Sequence, residues 1–255
     1  MKRQSGRQSS GQILVIAVLV VSLVLLSTQL YIYEVGRSLE ETRSIRANDF
    51  VFAVKLGSKH VVTGSLVNIS VGGDGSTLFA NLERWVSFVE GLYQFGKPVL
   101  NFTLRNTSPY ANGIRLSWDT EGFGISSAYA DFNFSLQDGQ VSVQLPHTVN
   151  VTTSLVIEAV YRTLQGSVKQ INVTCNVLNE VNPALAENVT LLYENSGAWL
   201  RADEQTGYTF TDYGNGTYLI SFEADVQEEN VNVSAQVYDL RGIYVQANVT
   251  CTSIP

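Results

Sequence analysis

The sequence predicts an α+β protein held by a membrane helix: an N-terminal transmembrane helix, a short helical region, then two antiparallel β units, the second a β-sandwich. Three observations carry this. An uncharged apolar run occupies Ile13–Tyr33, apolar residues recur at helical spacing after residue 77, and from Pro98 onward apolar and polar residues alternate. Helices repeat every 3.6 residues and strands every two, so the change of period marks a change of structure.

The run ILVIAVLVVSLVLLSTQLYIY has no charge and no proline. At ~1.5 Å per residue it reaches across the ~30 Å hydrocarbon core of a bilayer. It exceeds the ~7–15 apolar residues of a cleaved secretory signal. Tyr31 and Tyr33 stand at its far end, where aromatic rings favour the headgroup region. Lys2, Arg3 and Arg7 precede it without an acid, and Glu34, Arg37, Glu40, Glu41, Arg43 and Arg46 follow it as a mixed set. Positive charge stays inside. Residues 1–11 are therefore expected as a cytoplasmic basic leader, 12–33 as the transmembrane helix, and everything after them as extracellular. Membrane lipid is the expected partner of residues 13–33.

Residues 34–97 form the expected extracellular helical region. LEETRSIRANDFVFAVKL is rich in helix formers, and Asp49 is a candidate N-cap for a segment running to Ser70. VGGDGS, residues 71–76, is a turn cluster. Beyond it Leu78, Leu82, Trp85, Val86, Val89, Leu92 and Tyr93 share one helix face. Ser76 is placed to cap that helix, and Gly96-Lys97-Pro98 ends it. Such a stripe is expected to pack on a sheet.

In 98–180, VLNFTLRN, GIRLSWDT, YADFNFSLQ, QVSVQLP, SLVIEAVYR and VKQINVTCNV alternate as half-buried antiparallel strands, with Asn112-Gly113, Glu121-Gly122 and Asp138-Gly139 as turns. Asn179-Glu180-Val181-Asn182-Pro183 reads as a domain boundary. In 181–255, NVTLLYE, TGYTFTDY, GTYLISFEADV, NVNVSAQVYD and IYVQANVTC have the spacing of a small sandwich resembling an immunoglobulin-like module, without the Cys…Trp…Cys arrangement of antibody domains. A repeat links the units: Val160-Tyr161 leads through a Gly turn and a strand to Cys175, and Val237-Tyr238 does so to Cys251. An oxidising exterior permits a Cys175–Cys251 disulfide. Separate burial as small hydrophobes is the alternative.

The formal net charge of −7 disfavours nucleic acid as a partner. The two histidines, His60 and His147, and the two cysteines are scattered, so no metal or cofactor is expected. No GxSxG, HExxH, Walker loop or dinucleotide fingerprint occurs, and the chain reads as no enzyme. The acids Asp119, Glu121 and Asp131 near Trp118 are a candidate carboxylate set, and Asp203, Glu204, Asp212 and Asp225 a candidate calcium set. Solvated loop acids explain both more simply. Asn-x-Ser/Thr sequons stand at Asn68, Asn101, Asn106, Asn133, Asn150, Asn172, Asn188, Asn215, Asn232 and Asn248, all after the membrane segment. All but Asn68, which falls in the helical region, are glycosylation candidates. An Asn-x-Thr triplet also simply places two polar residues on one exposed strand face.

The stretch SGQILVIAVLVVSLVLLSTQLYIYE resembles the N-termini of archaeal type IV pilin-like surface proteins, over about the first 45 residues. The resemblance implies leader cleavage between Gly11 and Gln12, a retained hydrophobic helix, and self-assembly or association with other envelope proteins. The expected function is a non-enzymatic cell-surface protein, a pilin-like subunit or anchored ectodomain for envelope assembly or adhesion. An anchored binding module for sugar, peptide or solute is the alternative, and a surface hydrolase a weaker one.

Overall fold

In the computed structural model of the chain, the structure describes residues 7–92, 97–138 and 141–255. Lys2, Arg3, Tyr93, Gly96 and Gly139 lie outside them. Contacts divide the chain into two compact units, one ending at Ala53 and one running Val54–Pro255. Helix α1, Arg7–Ser70, supplies all described residues of the first unit.

The second unit begins with the end of α1, whose buried stripe is Val54, Ser58, Val62, Ser65, Leu66, Ile69 and Ser70. The i, i+4 recurrence puts these on one face. The expected helix ending at Ser70 is thus present, as the last part of a longer one. Helix α2, Thr77–Leu92, buries Leu78, Leu82 and Val89. Its entry turn is held by Asp74, whose carboxylate accepts from Ser76 N–H at 2.8 Å, while Ser76 gives its carbonyl to Ala80 N–H. Polar contacts fix the crossing of the two helices: Trp85 Nε1 donates to Ser58 Oγ and Asn81 Nδ2 to Ser65 Oγ, each at 3.0 Å. The indole also fills the space above Gly57, where a Cβ would come within 2.3 Å of it.

Thirteen strands follow among the described residues: β1 (Lys97–Leu104), β2 (Ile114–Trp118), β3 (Phe123–Asp138), β4 (Val141–Gln165), β5 (Val168–Asn179), β6 (Asn182–Pro183), β7 (Ala186–Asn195), β8 (Ala198–Arg201), β9 (Thr206–Asp212), β10 (Thr217–Asp225), β11 (Asn232–Asp239), β12 (Tyr244–Thr250) and β13 (Thr252–Ser253). The larger sheet runs β1-β3-β4-β5-β10-β9, with β2 beside β3, β6 beside β5 and β13 beside β4; the smaller runs β12-β11-β7-β8. All pairs are antiparallel except β13 with β4.

Strand β4 organises this arrangement. Its odd-numbered residues, Val149, Val151, Thr153, Leu155, Ile157, Ala159 and Tyr161, are all buried, so one face points inward over the buried length. The part paired with β3 shares that face with Phe132, Phe134 and Leu136. Beside it β1 meets α2, Phe79 and Phe102 packing edge to face at 5.5 Å. The part paired with β5 joins Ile171, Val173, Ile220, Phe222, Val233, Val237, Val245 and Ala247 in one cluster drawn from both sheets. Here the sheets come close: a Cβ on Gly124 would sit 2.0 Å from the Gln246 carbonyl oxygen.

The two β units expected on either side of Glu180 are therefore not separate: β4 and β5 share a core with the strands that follow. Strand β10 follows the supposed boundary but pairs with β5 before it, from Thr217↔Asn176 to Asp225↔Val168. The sandwich expected within 181–255 instead includes β4 and β5, which lie before residue 180. Asn179–Asn182 is a tight turn, with Glu180 and Val181 at φ 47° and 68°, a region β-branched residues seldom adopt. A buried charge cluster pins it. The Asp239 carboxylate, fully buried, accepts from Thr153 Oγ1 (2.8 Å), Arg241 Nε (2.8 Å) and the N–H groups of Arg241 and Ile243 (2.9 Å each). Arg241 also donates to Glu180 Oε1 at 2.6 Å and to the Thr152 carbonyl at 2.9 Å. The β11–β12 turn is thereby tied to β4 and to the Glu180 turn.

Two stability outcomes are expected. Asp239→Ala leaves Arg241 without its buried partner and should cost about 3–5 kcal/mol in urea unfolding. A loss under about 1 kcal/mol would make the cluster incidental. On α1, Gly57→Ala should destabilise by about 1–3 kcal/mol through overpacking against Trp85. Gly64→Ala, with nothing within 4 Å of its Cβ, should stabilise by about 0.5–1 kcal/mol through helix propensity.

Candidate functional site

The feature farthest from an ordinary soluble surface is the side of α1 within the first unit. Val18, Leu19, Leu23, Val24, Leu25, Leu26, Leu30, Tyr31, Ile32 and Tyr33 are each 57–71% exposed. Soluble monomers rarely leave contiguous apolar patches beyond a few hundred Å². The hydroxyls within the run are turned back on the helix. Ser22 Oγ donates to the Val18 carbonyl at 2.8 Å, and Ser27 and Thr28 donate to that of Val24 at 2.9 and 2.7 Å. These hydroxyls need no water, which is the condition for a surface facing hydrocarbon. Gly11 and Gln12, the expected cleavage junction, lie within α1.

A second stretch, Asn48–Ser70, is also long and apolar enough to cross a membrane by length and composition, with a mean hydropathy of 1.2. From Val54 onward, though, its buried stripe and its hydrogen bonds to α2 are those of a helix packed in the second unit.

The carboxylates marked from the sequence do not converge. Asp119 is a turn anchor, accepting from Glu121 and Phe123 N–H at 3.0 Å each. Glu121 bridges to Val249. Asp131 lies along β3 opposite Thr103 and accepts from Thr148 Oγ1 at 2.5 Å. Asp119 and Asp131 are thus separated by about 25 Å or more of extended chain. Of the second set, Asp203 pairs with Arg201 (2.6 Å), Asp212 accepts from Gly214 N–H (2.7 Å) and Asp225 from Gln227 Nε2 (3.3 Å). The Arg201 guanidinium holds the Asp203 carboxyl below its ordinary range by hydrogen bonding. Among the described residues no group of three His, Cys, Asp or Glu is placed to hold a metal. His147 stacks on Phe132 at 5.0 Å, and burial pushes its pKa down.

The sequon asparagines fall into two groups. Asn68, Asn101, Asn106, Asn133, Asn150, Asn188 and Asn215 are exposed, and Asn172, Asn232 and Asn248 are half-buried. Asn101 and Asn133 are directly opposite on β1 and β3. Asn215 closes the β9–β10 turn, its side-chain oxygen accepting from Thr217 N–H at 3.1 Å. Asn232 is already committed, with Nδ2 donating to Glu194 Oε2 at 2.9 Å.

Cys175 and Cys251 are free and buried, so the disulfide is not formed. Cys175 pairs on β5 with Ile157 of β4, while Cys251 precedes β13, which flanks the other side of β4 at Val160. Two strand spacings, ~10 Å, separate them even before their offset along the strands. A disulfide needs Cα atoms within ~7 Å.

No protein-family model matches the chain, and no curated protein sequence matches it. Among solved structures, Drosophila OTK, extracellular domains 3–5, aligns over 61% of this chain at 12% identity and a TM-score of 0.20. The alignment spans 51% of that chain. A likeness so slight assigns neither a fold family nor a function.

Burial pushes both thiols up to about 12. At pH 8 neither should take up iodoacetamide in the folded protein, and two labels should appear after denaturation, read by intact mass. Because the folded pKa is the higher one, this contribution to stability is complete below the unfolded thiol value of ~8.5 and is lost as pH rises from there through the folded value. One label on the native protein would contradict the burial of that cysteine.

Proposed function

We propose that the chain is a non-enzymatic cell-surface protein, anchored by α1 and displaying the second unit outside the cell for envelope assembly or adhesion. The observation that carries this reading is the set of exposed apolar side chains on α1, Val18, Leu19, Leu23–Leu26 and Leu30–Tyr33, with the hydroxyls among them satisfied inside the helix. A bilayer or the apolar core of a helical filament would cover it. Orientation rests on Lys2, Arg3 and Arg7, which lie on one side of the run without a compensating acid. The head supports the reading by its architecture, two packed and mainly antiparallel sheets. A pilin-like subunit is the more specific form of the proposal, and rests on the Gly11-Gln12 junction immediately before the run.

The test is the intact mass and N-terminal sequence of the protein from alkaline-washed membranes and from sheared surface fractions. Retention in washed membranes, with release after deletion of residues 13–33, is expected of the anchored protein. A mature chain starting at Gln12 in the sheared fraction is expected of the pilin-like form. Extraction of the unmodified full-length chain by the alkaline wash would contradict anchoring.

A further inference from the structure

On the outer face of the smaller sheet, one row crosses all four strands. Thr250 on β12 is opposite Asn232 on β11, the register places Asn232 beside Glu194 on β7, and Glu194 is opposite Trp199 on β8. At ~4.8 Å per strand the row is about 14 Å long. Its members hold one another: Thr250 Oγ1 donates to Asn232 Oδ1 at 2.7 Å, and Asn232 Nδ2 to Glu194 Oε2 at 2.9 Å. Two residues back along β12, the Asn248 carboxamide is oriented by Gln246 Nε2, which donates to its Oδ1 at 3.1 Å. Two hollows flank the Glu194–Asn232 pair. One of about 340 Å³ is lined by Thr120, Trp199, Asn248 and Thr250, and one of about 420 Å³ by Ser196, Glu228 and Asn230. The Trp199 side of the row is open, with 47% of that residue exposed.

We propose that this row binds a neutral oligosaccharide. An exposed indole on a rigid strand offers a flat apolar face to the C–H face of a pyranose. The carboxylate and carboxamides beside it are fixed by their mutual hydrogen bonds, and Glu194 Oε1 and Asn248 Nδ2 remain as an acceptor and a donor for sugar hydroxyls, which both give and take hydrogen bonds. Two hollows in line accommodate more than one ring. Glu194, Glu228 and Glu229 around the row, in a protein of net charge −7, repel acidic sugars. A peptide added as a strand would take a sheet edge, whereas these groups stand on the face. The site assigns Asn248 to ligand contact and Asn232 to holding Glu194, and leaves glycan attachment to exposed sequons such as Asn101 and Asn133. It does not depend on whether α1 anchors the chain.

The test uses the full chain, unglycosylated and labelled with 5-fluorotryptophan, in a polyoxyethylene detergent that carries no sugar headgroup. The tryptophans, Trp85, Trp118 and Trp199, give separate ¹⁹F signals assigned by substitution. Cellohexaose, maltohexaose, chitohexaose and mannohexaose are titrated, with oligogalacturonate and hexalysine as controls. At least one neutral hexasaccharide should shift the Trp199 signal saturably, leaving Trp85 unmoved. Asn248→Ala should weaken that binding at least about tenfold, which is ~1.4 kcal/mol. Glu158→Gln, on the other sheet, should not change it. Trp199→Ala should abolish binding measured by calorimetry, with unchanged Trp85 and Trp118 signals reporting an intact fold. No shift with any neutral sugar up to about 10 mM, a response to oligogalacturonate or hexalysine alone, or a glycan on Asn232 or Asn248 of the native protein would each overturn the proposal.

Discussion

The inward face of β4 is the constraint on which the second unit depends. The alternation of side chains holds the same parity from Val149 to Tyr161, so one strand must satisfy two coverings. Beside its first part β1 packs on α2; over its second part lies the smaller sheet. A one-residue slip would turn every one of these side chains outward. The register is fixed at the junction between the two cores. There Gly124 admits the β12 backbone, Ser126 Oγ donates to the Tyr244 carbonyl at 2.6 Å, and Asp239 with Arg241 ties the β11–β12 turn to Thr152 and Thr153. Tyr244 N–H donates to Ser70 Oγ at 3.0 Å, bringing the end of α1 to the same junction.

This arrangement frees the outer faces for display. With the buried apolar side chains of both sheets turned inward, the outer face of the smaller sheet carries Asn232, Asn248, Thr250, Glu194 and Trp199 on positions that the backbone ladder holds. The outer face of the larger sheet carries Asn101, Asn133 and Asn150. The exposed apolar surface of α1 in the first unit has the opposite character, since it needs a covering that water cannot give. The proposed anchored, outward-facing protein would satisfy both surfaces.

Much of the local structure was legible in the sequence. The stripe Leu78, Leu82, Val89 gave α2 directly, because an amphipathic helix writes its period along the chain. The end of α1 was harder to read, since its buried stripe holds Ser58, Ser65 and Ser70, which lie against a partner only because Trp85, Asn81 and Tyr244 reach them. What local pattern does not encode is which strands meet. The cluster Asn179–Pro183 has the composition of a linker and is in fact a turn, because β10 returns to β5 across some forty residues of intervening chain. The Val-Tyr…Cys repeat was sound as two hairpins, β4–β5 and β11–β12. Its one-residue difference in the turn reverses the facing of the first strand, so that Tyr161 is buried while Tyr238 lies outside. The row through Trp199 was missed for the same reason as the domain boundary: its members come from four strands that only register aligns.

Whether the second unit is displayed outside the cell, from a helix that stays with it, is decided by brief protease shaving of intact cells followed by mass spectrometry of the released and retained peptides. Peptides from 97–255 should be released while residues before Tyr33 stay with the cell. Protection of 97–255 until the cells are broken would contradict it.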